Sequence, residues 1–380
     1  MALLHTVSDL LVWLGWYVLP FIVILSAIVF IHELGHYLVG RWCGVKIDAF
    51  SIGFGPELFA RIDSRGTRWR IGALPLGGYV KFHGDANPAS VDVGTLDLSV
   101  DSSRTLTAQP VQNRAAIVLA GPVANFILAF VIFTGIFVSF GRVEHMARIG
   151  RVESNSPAAA AGFAAGDLVK SVDGDPIGSF EALQEASLMS TGLPMTFVVE
   201  RDGRDVELTA TPRVSVVDQG VFGKRRMGHL GLASSANPND VKIERCSLPV
   251  CAAWGASQQW FIVKATTAYV VGIFAGREST DQVSGLIGAA QMAGEMAKIN
   301  VWELFSLAAW FSVSVGFMNL LPIPLLDGGH LVFYAFEAAL GRPLSQRMQE
   351  IGLKIGIVLV ALLVVFTTSH DILRLVSNGN

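Results

Sequence analysis

Charged residues are scarce in this sequence. Asp, Glu, Lys and Arg together make up 16% of its 380 residues, whereas hydrophobic residues make up 52%. This balance is too apolar for an ordinary soluble enzyme of this length and predicts a membrane protein that contacts lipid. The formal net charge is only −3, and no stripe of basic residues alternates with aromatic ones, so nucleic acid is not an expected partner.

Four segments are apolar over about the 20 residues that a helix needs to cross a membrane. Three of them contain no Asp, Glu, Lys or Arg, and the fourth contains only Lys354, whose side chain can extend from the helix to the membrane surface. The four segments are Leu10–Ile31, Ala115–Gly141, Leu304–Leu326 and Ile351–Ser369. We therefore predict a polytopic α-helical membrane protein with about four transmembrane helices.

The segment Trp260–Phe274 is also apolar, but it is short and contains Lys264. Runs of about 10–14 apolar residues more often form interfacial or partly buried helices than membrane crossings. We expect a membrane-associated amphipathic helix here, and a fifth crossing is the alternative.

Positive charge is distributed unevenly around the four segments. Lys and Arg are absent from residues 1–9, but nine of them lie between the first two segments, and Arg342 and Arg347 lie between the last two. Because short cytoplasmic loops are rich in Lys and Arg, we expect both of these loops on the cytoplasmic side. Residues 142–300 would then lie outside.

Ionisable side chains follow the first apolar segment directly, in FIHELGHYLVG (Phe30–Gly40). His32 and His36 are four residues apart, so on a helix both imidazoles project from one face and can bind one metal ion, while Glu33 can act on a water at that metal. The alternative is a pair of histidines hydrogen-bonded inside a helical bundle. Ionisable groups in a membrane helix are costly and usually functional, which favours the zinc-hydrolase motif HExxH.

A catalytic zinc site needs a third protein ligand. The best candidate is Asp327 in NLLPIPLLDGGH (Asn319–His330), at the end of the third apolar segment, and His330 is a competing candidate. With four crossings Asp327 lies on the same side of the membrane as His32, whereas a fifth crossing would separate them by about 30 Å. Asn319 and the two prolines that follow would break the helix, which membrane proteins tolerate only beside a cavity or inside protein.

A small β-sheet is expected near this site. Leu58–Ile62 and Arg68–Ala73 alternate around a turn at Asp63–Gly66, and Leu74–Phe82 provides a further extended segment. An exposed edge of this sheet, at Gly77, Gly78 and Tyr79, could bind an extended peptide by strand addition. Asn125 or Asn319 would hydrogen-bond the substrate backbone, or else bond neighbouring helices to each other.

Soluble character returns between Arg148 and about Pro212, where a short helix and alternating strands predict a compact β-rich domain with a hairpin turn at Asp202–Gly203. This domain either binds or excludes parts of a substrate, by strand addition, or acts as a spacer. Val214–Asp240 is expected to be an irregular linker, and Gly84–Gln109 a polar cytoplasmic loop.

Three cysteines are present in the whole chain. Cys43 is expected on the cytoplasmic side and reduced. Cys246 and Cys251 are both expected outside, where they are either a disulfide or two buried thiols. The three are too scattered to form one metal site.

Five motifs occur in a recognisable order along the chain. They are HELGH (His32–His36), GFGP (Gly53–Pro56), LPLGGYVKF (Leu74–Phe82), AGPVANF (Ala120–Phe126) and NLLPIPLLDGGH (Asn319–His330). Over nearly its whole length the chain resembles the site-2 proteases, specifically the bacterial regulator-of-sigma-E type. The resemblance implies zinc bound by His32, His36 and Asp327, with Glu33 as the catalytic base.

The resemblance also implies the domain organisation. It predicts an N-terminal membrane core with a small membrane-associated sheet at 1–140, one extracytoplasmic PDZ domain at 141–213, a linker with amphipathic helices at 214–300 and a C-terminal membrane core at 301–380. The implied location is a bacterial inner membrane, with the PDZ domain in the periplasm and the active site near the cytoplasmic side.

The expected function is zinc-dependent cleavage of single-span membrane proteins within the membrane. The resemblance implies an anti-sigma factor or a remnant signal peptide as the substrate, without choosing between them. A non-hydrolytic membrane scaffold or chaperone is the alternative, although it would not need the complete set of metal ligands. A transporter is disfavoured because no inverted internal repeat is visible. The sequence predicts no oligomeric state.

Overall fold

The computed structural model describes residues 14–84, 102–189, 192–218, 224–274 and 285–378. The chain divides into two units. We call the first the helical unit, and it comprises Met1–Phe133, Trp254–Ala268 and Val283–Asn380. The second is the β-rich unit, which comprises Thr134–Ala253 and Tyr269–Gln282. Residues 85–101 of the expected loop Gly84–Gln109 lie outside the described residues.

Helices dominate the helical unit and recur in the β-rich unit. In chain order they are α1 (Leu19–Trp42), α2 (Val111–Phe140), α3 (Pro157–Ala161), α4 (Phe180–Met189), α5 (Leu248–Phe274), α6 (Leu286–Ile299), α7 (Val301–Asn319), α8 (Asp327–Leu340) and α9 (Gln346–Asn378). A π-helical turn at Leu14–Val18 precedes α1, and short 3-10 turns lie at Ser102–Arg104 and Pro238–Asp240.

Four of the described helices are long and apolar enough to cross a membrane, as predicted. These candidate spans are Leu14–Trp42, Val111–Phe140, Val301–Asn319 and Arg347–Leu373. The third is shorter than the uncharged run because α7 ends at Asn319. Pro322 and Pro324 cannot continue a helix, so the chain turns before α8 begins at Asp327. The apolar segment Trp260–Phe274 is helical, but its helix α5 already begins at Leu248.

Helix α6 packs on α1 and α7 inside the helical unit. Phe21, Ile24 and Ile28 of α1 form one buried cluster with Ala293 of α6 and Leu307 of α7. The N-terminal end of α6 is held by the buried carboxylate of Asp371 in α9, which accepts hydrogen bonds from the backbone N–H groups of residues 285, 287 and 288. These contacts satisfy donors that a helix otherwise leaves unpaired.

The predicted small sheet consists of two long strands, β1 (Ile47–Ile62) and β2 (Arg68–Phe82). The N-terminal half of β1 lies between two parts of β2, so that Phe50 pairs with Val80 on one side and with Trp69 on the other. The predicted strands 58–62, 68–73 and 74–82 are confirmed. The part of β1 before Leu58 was missed, because Gly53, Gly55 and Pro56 are typical of a loop.

Burial against α1 and α2 explains why this stretch is nevertheless extended. Ile47 and Phe50 are completely buried, and Phe50 stacks on Trp69 with the ring centroids 4.3 Å apart. The turn of the hairpin is tied to α1, since Asp63 accepts hydrogen bonds from the Tyr37 hydroxyl and from Trp69 Nε1. The sheet is therefore fixed beside the helix that carries both histidines.

The strands of the β-rich unit form four small sheets within the described residues. The strands are β3 (Arg142–His145), β4 (Ile149–Val152), β5 (Leu168–Val172), β6 (Asp175–Pro176), β7 (Met195–Arg201), β8 (Arg204–Ala210), β9 (Arg213–Asp218), β10 (Lys224–His229), β11 (Leu232–Ser234) and β12 (Val241–Glu244). The largest sheet has the order β6-β5-β7-β8, and three pairs are formed by β9 with β10, β4 with β11 and β3 with β12. The buried core of the β-rich unit includes Ile149, Leu183, Phe197 and Val199.

The sequence predicted part of this unit. The β7–β8 hairpin turns at Asp202–Gly203, as expected, and both residues have positive φ angles. The irregular linker expected at Val214–Asp240 is wrong where the segment is described, because it contains most of β9 and all of β10 and β11. Strand β11 pairs with β4, some 80 residues earlier, and such a long-range pairing leaves no periodic signal in the sequence. Cys246 and Cys251 form a disulfide bond, which resolves the alternative left open above.

An ion pair with a buried carboxylate links the end of β7 to the residue that precedes β5. Arg201 at the end of β7 donates two hydrogen bonds of 2.7 Å to the carboxylate of Asp167, whose side chain is 1% exposed. Burial by itself would raise the pKa of the Asp167 carboxyl, but the hydrogen bonds from Arg201 and from the Ala164 N–H, together with the charge of Arg201, hold this pKa below its ordinary value.

We expect Arg201→Ala to destabilise the β-rich unit by about 2 kcal/mol, because a buried carboxylate loses its partners. Since the folded pKa of Asp167 is lowered, this contribution is complete above the unfolded value of about 3.9 and is lost as the pH falls through the lower folded pKa. Hydrogen-exchange protection factors of residues 142–210 in the full chain test this. The difference from wild type should be constant between about pH 5 and 7 and shrink below about pH 4. Exposed Arg204→Ala is the control, and equal protection in both variants would contradict the prediction.

Candidate metal centre

The three predicted metal ligands meet at one point of the helical unit. His32 Nε2 lies 3.2 Å from His36 Nε2 and 3.2 Å from Asp327 Oδ2, and His36 Nε2 lies 3.6 Å from the same oxygen. Among the described residues this is the group of His, Cys, Asp and Glu side chains that can hold a metal ion. Two ends of the chain, 291 residues apart from His36 to Asp327, are thus brought together as the sequence predicted.

The spacing of these atoms fits zinc. Metal–ligand bonds of about 2.0–2.1 Å at tetrahedral angles separate two ligand atoms by about 3.3 Å. The Oδ2 atom of Asp327 is buried and has no hydrogen-bond partner among the described residues, as expected of an oxygen reserved for a cation. Two imidazoles and one carboxylate leave one tetrahedral position open, which is the arrangement of a catalytic zinc site rather than a structural one.

The outer nitrogens of both imidazoles contact α2. His36 Nδ1 lies 2.8 Å from the main-chain oxygen of Ile117, and His32 Nδ1 lies 3.2 Å from Nδ2 of Asn125. A carbonyl oxygen only accepts hydrogen bonds, so His36 carries its proton on Nδ1 and keeps the lone pair of Nε2 for a metal. Sequence reasoning did not find Ile117, because a main-chain oxygen leaves no signal in residue type.

Asn125 does not occupy the position expected of a substrate contact. Its side chain is completely buried behind His32, and its main-chain oxygen accepts a hydrogen bond from the Ser312 hydroxyl of α7. The expected role as a bond between helices is therefore the one that the structure supports. The sequence could not separate the two roles, because it does not show which face of α2 is turned toward solvent.

Glu33 lies between the metal ligands and the sheet. Val80 of β2 lines the same cavity as Glu33. Gly78 of the same strand approaches α1 so closely that a Cβ atom there would lie 3.0 Å from Glu33 Cγ and 2.8 Å from Val29 Cγ1. Strand β2 therefore packs directly against the Glu33 side chain.

The remaining predicted site residues line one cavity of about 350 Å³ together with His32, His36 and Asp327. These residues are Glu33, Gly77, Gly78, Tyr79, Asn319 and His330. The cavity therefore contains the metal ligands, the proposed base and the expected substrate edge. His330 lies one turn into α8, and it is not in the group of three metal ligands.

Asp327 is held in place by the way α8 begins. Leu325, two residues before Asp327, has a φ angle of 103°. This conformation costs a non-glycine residue about 1–3 kcal/mol and tends to occur at functional sites. Further along α8, Glu337 forms two hydrogen bonds of 2.6 and 3.0 Å with Arg114 of α2, whose guanidinium also lies 5.0 Å from the ring of Tyr334. A bidentate pair of this kind fixes both position and orientation, so α8 is anchored to the helix that supports the histidines.

We expect Gly78→Ala to slow peptide hydrolysis about 10- to 100-fold, because the added methyl group must displace Glu33 or β2 and a misplacement of about 1 Å has effects of this size. Zinc affinity should not change, since neither histidine is touched. Gly135→Ala in α2, where a Cβ atom meets nothing within 4 Å, is the matched control. A hydrolysis rate within threefold of wild type would show that this close approach is unimportant.

Comparison with known proteins agrees with the chemistry of the cluster. A protein of Agrobacterium fabrum named as a zinc metalloprotease is 42% identical over 378 residues, covering 98% of this chain and 100% of the relative. Metalloprotease MmpA of Caulobacter vibrioides is 40% identical over 376 residues, covering 92% of this chain and 94% of the relative.

These matches and the cluster define a zinc metalloprotease. The chain belongs to peptidase family M50, the family of the site-2 proteases, whose model matches residues 20–363.

Two solved structures that match a part of the chain contain or resemble PDZ-type and HtrA-type proteins. The PDZ domain of an SdrC-like protein from Listeria monocytogenes is 16% identical, covers 23% of this chain and 84% of its own, and has a TM-score of 0.19. An HtrA-type protease, AlgW, is 15% identical over 47% of this chain and 48% of its own, with a TM-score of 0.17. These scores are too low to carry an argument about the β-rich unit.

Proposed function

We propose that this protein is an intramembrane endopeptidase that binds zinc through His32, His36 and Asp327 and cleaves single-span membrane proteins. The observation that carries the proposal is the position of the metal ligands. Two of them lie in α1, within a helix long and apolar enough to cross a membrane, and the third follows α7, which is another such helix. A hydrolytic site built into membrane helices has access to peptide bonds that a soluble peptidase does not reach.

Glu33 is the proposed catalytic base. When bound, zinc supplies Lewis-acid activation of water and of the peptide carbonyl. The carboxylate of Glu33 takes a proton from the attacking water and delivers it to the nitrogen of the leaving amine. Gly78 of β2, which packs closely against the Glu33 side chain, positions this carboxylate in the cavity.

The cavity also suggests how a substrate is held. The scissile bond of a membrane helix is hidden by its own hydrogen bonds, so the helix has to unwind before it is cut. Gly77, Gly78 and Tyr79 of β2 line the cavity, and the outer side of this part of β2 carries no described strand. We propose that the unwound segment adds to this edge as a strand and that Asn319 binds its backbone.

The proposed orientation places the β-rich unit in the periplasm as a PDZ-like domain and the metal centre near the cytoplasmic side of a bacterial inner membrane. The Lys and Arg residues between the first two candidate spans support this orientation. The disulfide between Cys246 and Cys251 supports it independently, because disulfides persist in oxidising compartments. We propose that this domain selects or excludes substrates, with anti-sigma factors and remnant signal peptides as the candidate classes.

Zinc-dependent cleavage in detergent tests the proposal. The purified full chain is incubated with a tagged single-span membrane protein before and after treatment with a zinc chelator. We expect cleavage to stop on chelation and to return when zinc is added back. Cleavage that persists without zinc, or no cleavage of any single-span protein by the zinc-loaded chain, would contradict the proposed activity and favour a non-hydrolytic scaffold.

A further inference from the structure

The two candidate zinc ligands on α1 have different partners at their outer nitrogens. His36 Nδ1 meets a main-chain carbonyl, which can only accept a hydrogen bond. His32 Nδ1 meets the side-chain carboxamide of Asn125, which can either donate through Nδ2 or accept through Oδ1. Only His32 therefore has a partner whose hydrogen-bonding role is open.

The two orientations of the carboxamide have opposite consequences for metal binding. If Nδ2 donates to His32 Nδ1, the proton of the neutral imidazole is on Nε2, and Nε2 cannot bind a metal. If Oδ1 accepts from His32 Nδ1–H, the lone pair of Nε2 is free to face Asp327 and His36. A zinc-binding His32 therefore requires the second orientation.

The burial of Asn125 supports the same orientation. With Nδ2 toward His32, the Oδ1 atom is buried and has no hydrogen-bond partner among the described residues. A buried polar atom without a partner costs about 1–3 kcal/mol. The two ends of a carboxamide have nearly the same shape, so a half-turn about its last bond gives Oδ1 a donor in His32 without moving any helix.

The surroundings of Asn125 keep its side chain against the histidine. The Ser312 hydroxyl donates a hydrogen bond of 2.8 Å to the main-chain oxygen of Asn125, which ties α2 to α7 at this point. One helical turn earlier, Gly121 allows α2 to approach the imidazoles, since a Cβ atom there would lie 2.3 Å from His36 Nε2. Helix α2 thus contacts both histidines along a single face.

We propose that Asn125 is a positioning residue of the metal centre, whose Oδ1 accepts a hydrogen bond from His32 Nδ1–H and thereby keeps His32 Nε2 available as a zinc ligand. The inference rests on the proposed set of ligands. Together with the Ile117 carbonyl, it gives each imidazole one acceptor on α2 that fixes both its tautomer and the plane of its ring. Partners of this kind typically contribute 10- to 100-fold to metal affinity.

The zinc dissociation constant of the full chain in detergent, measured by competition with a chromophoric chelator, tests this proposal. Asn125→Leu removes the acceptor at nearly constant volume and should weaken zinc binding about 10- to 100-fold. Asn125→Asp keeps an acceptor at the same place and should bind zinc within threefold of wild type or more tightly. Ser314→Ala removes a hydroxyl whose hydrogen bond to the Trp310 carbonyl stays within α7 and should leave zinc affinity within threefold.

Asn125→Asp separates this role from simple packing. If the carboxamide served as a donor to His32, replacing it with a carboxylate would weaken zinc binding as much as Asn125→Leu, and this result would overturn the proposal. If Asn125→Leu does not fold, the zinc affinity of Asn125→Asp alone tests the proposal. Affinity close to wild type supports it, and weakened binding contradicts it.

Asp327→Ala, measured in parallel, distinguishes the inference from the proposed function. Zinc binding that is lost in Asp327→Ala and unchanged in Asn125→Leu would reject the role of Asn125 and leave the ligand set intact. Zinc binding that is indifferent to Asp327→Ala would reject the ligand set itself.

Discussion

Glu33→Gln should lower the rate constant for peptide hydrolysis by about 10²- to 10⁴-fold while zinc remains bound. Glutamine has nearly the shape of glutamate, so the shape of the cavity is kept, but its amide cannot take a proton from water at neutral pH. Both histidines and Asp327 are unchanged, which is why the metal content should stay the same. A loss of activity without a loss of zinc identifies a proton-transfer residue rather than a ligand.

The measurement is single-turnover cleavage of a single-span substrate in detergent, together with metal analysis of the same preparation. Exposed Glu350→Gln on α9 is the matched control and should cleave at the wild-type rate. If Glu33→Gln still cleaved at the wild-type rate, another residue would have to be the base, and the assignment of the HExxH glutamate would be wrong.

Asp327→Ala should weaken zinc binding about 10²- to 10⁴-fold. Zinc-finger peptides bind zinc with apparent free energies of about 10–16 kcal/mol, and on that scale one of three protein ligands accounts for roughly 3–5 kcal/mol. In addition, Asp327 is the anionic member of the proposed ligand set, so its loss removes the negative charge that lies 3.2 and 3.6 Å from the imidazole nitrogens and would offset the charge of the zinc ion. Activity should disappear together with the metal.

His330→Ala is the control for Asp327→Ala, because His330 lines the same cavity and was the competing candidate in the sequence. We expect zinc affinity within threefold of wild type for His330→Ala. If zinc binding depended on His330 and not on Asp327, His330 would be the third ligand instead. Helix α8 would then have to begin differently in the metal-bound protein.

Residue spacing predicted that the two histidines share one face of a helix. The interval of four residues between His32 and His36 has one geometric meaning on a helix, and both lie in α1 with their rings toward Asp327. The aspartate was a candidate because it follows an uncharged apolar run, and the resemblance to the site-2 proteases favoured it over His330. Long apolar runs likewise predicted the four candidate spans, since length and composition alone determine that signal.

Contacts between distant segments were the part that the sequence did not reveal. The first half of β1 contains Gly53 and Gly55 and looks like a loop, yet it is extended because Phe50 is buried against Trp69 and Tyr37. Strand β11 is short, and only its pairing with β4 defines it. In both cases tertiary burial outweighed local propensity.

The environment of the ligands was also beyond sequence reasoning. Asn125 was recognisable as an unusual polar residue in an apolar helix, but its direction is set by how α2 packs against α1 and α7. The Ile117 carbonyl belongs to the main chain and is invisible in residue type. The pair formed by Arg114 and Glu337 joins residues 223 positions apart, and single charges at the ends of apolar helices are too common to predict their partners.

The position of the cut in a membrane-embedded substrate tests the central claim most directly. The full chain and a tagged single-span protein are reconstituted together in lipid vesicles, and the masses of the products locate the cleaved bond, with Glu33→Gln as the negative control. We predict a cut within the apolar segment of the substrate that requires both zinc and Glu33. A cut only outside that segment, or one that Glu33→Gln makes equally well, would contradict zinc-dependent proteolysis within the membrane.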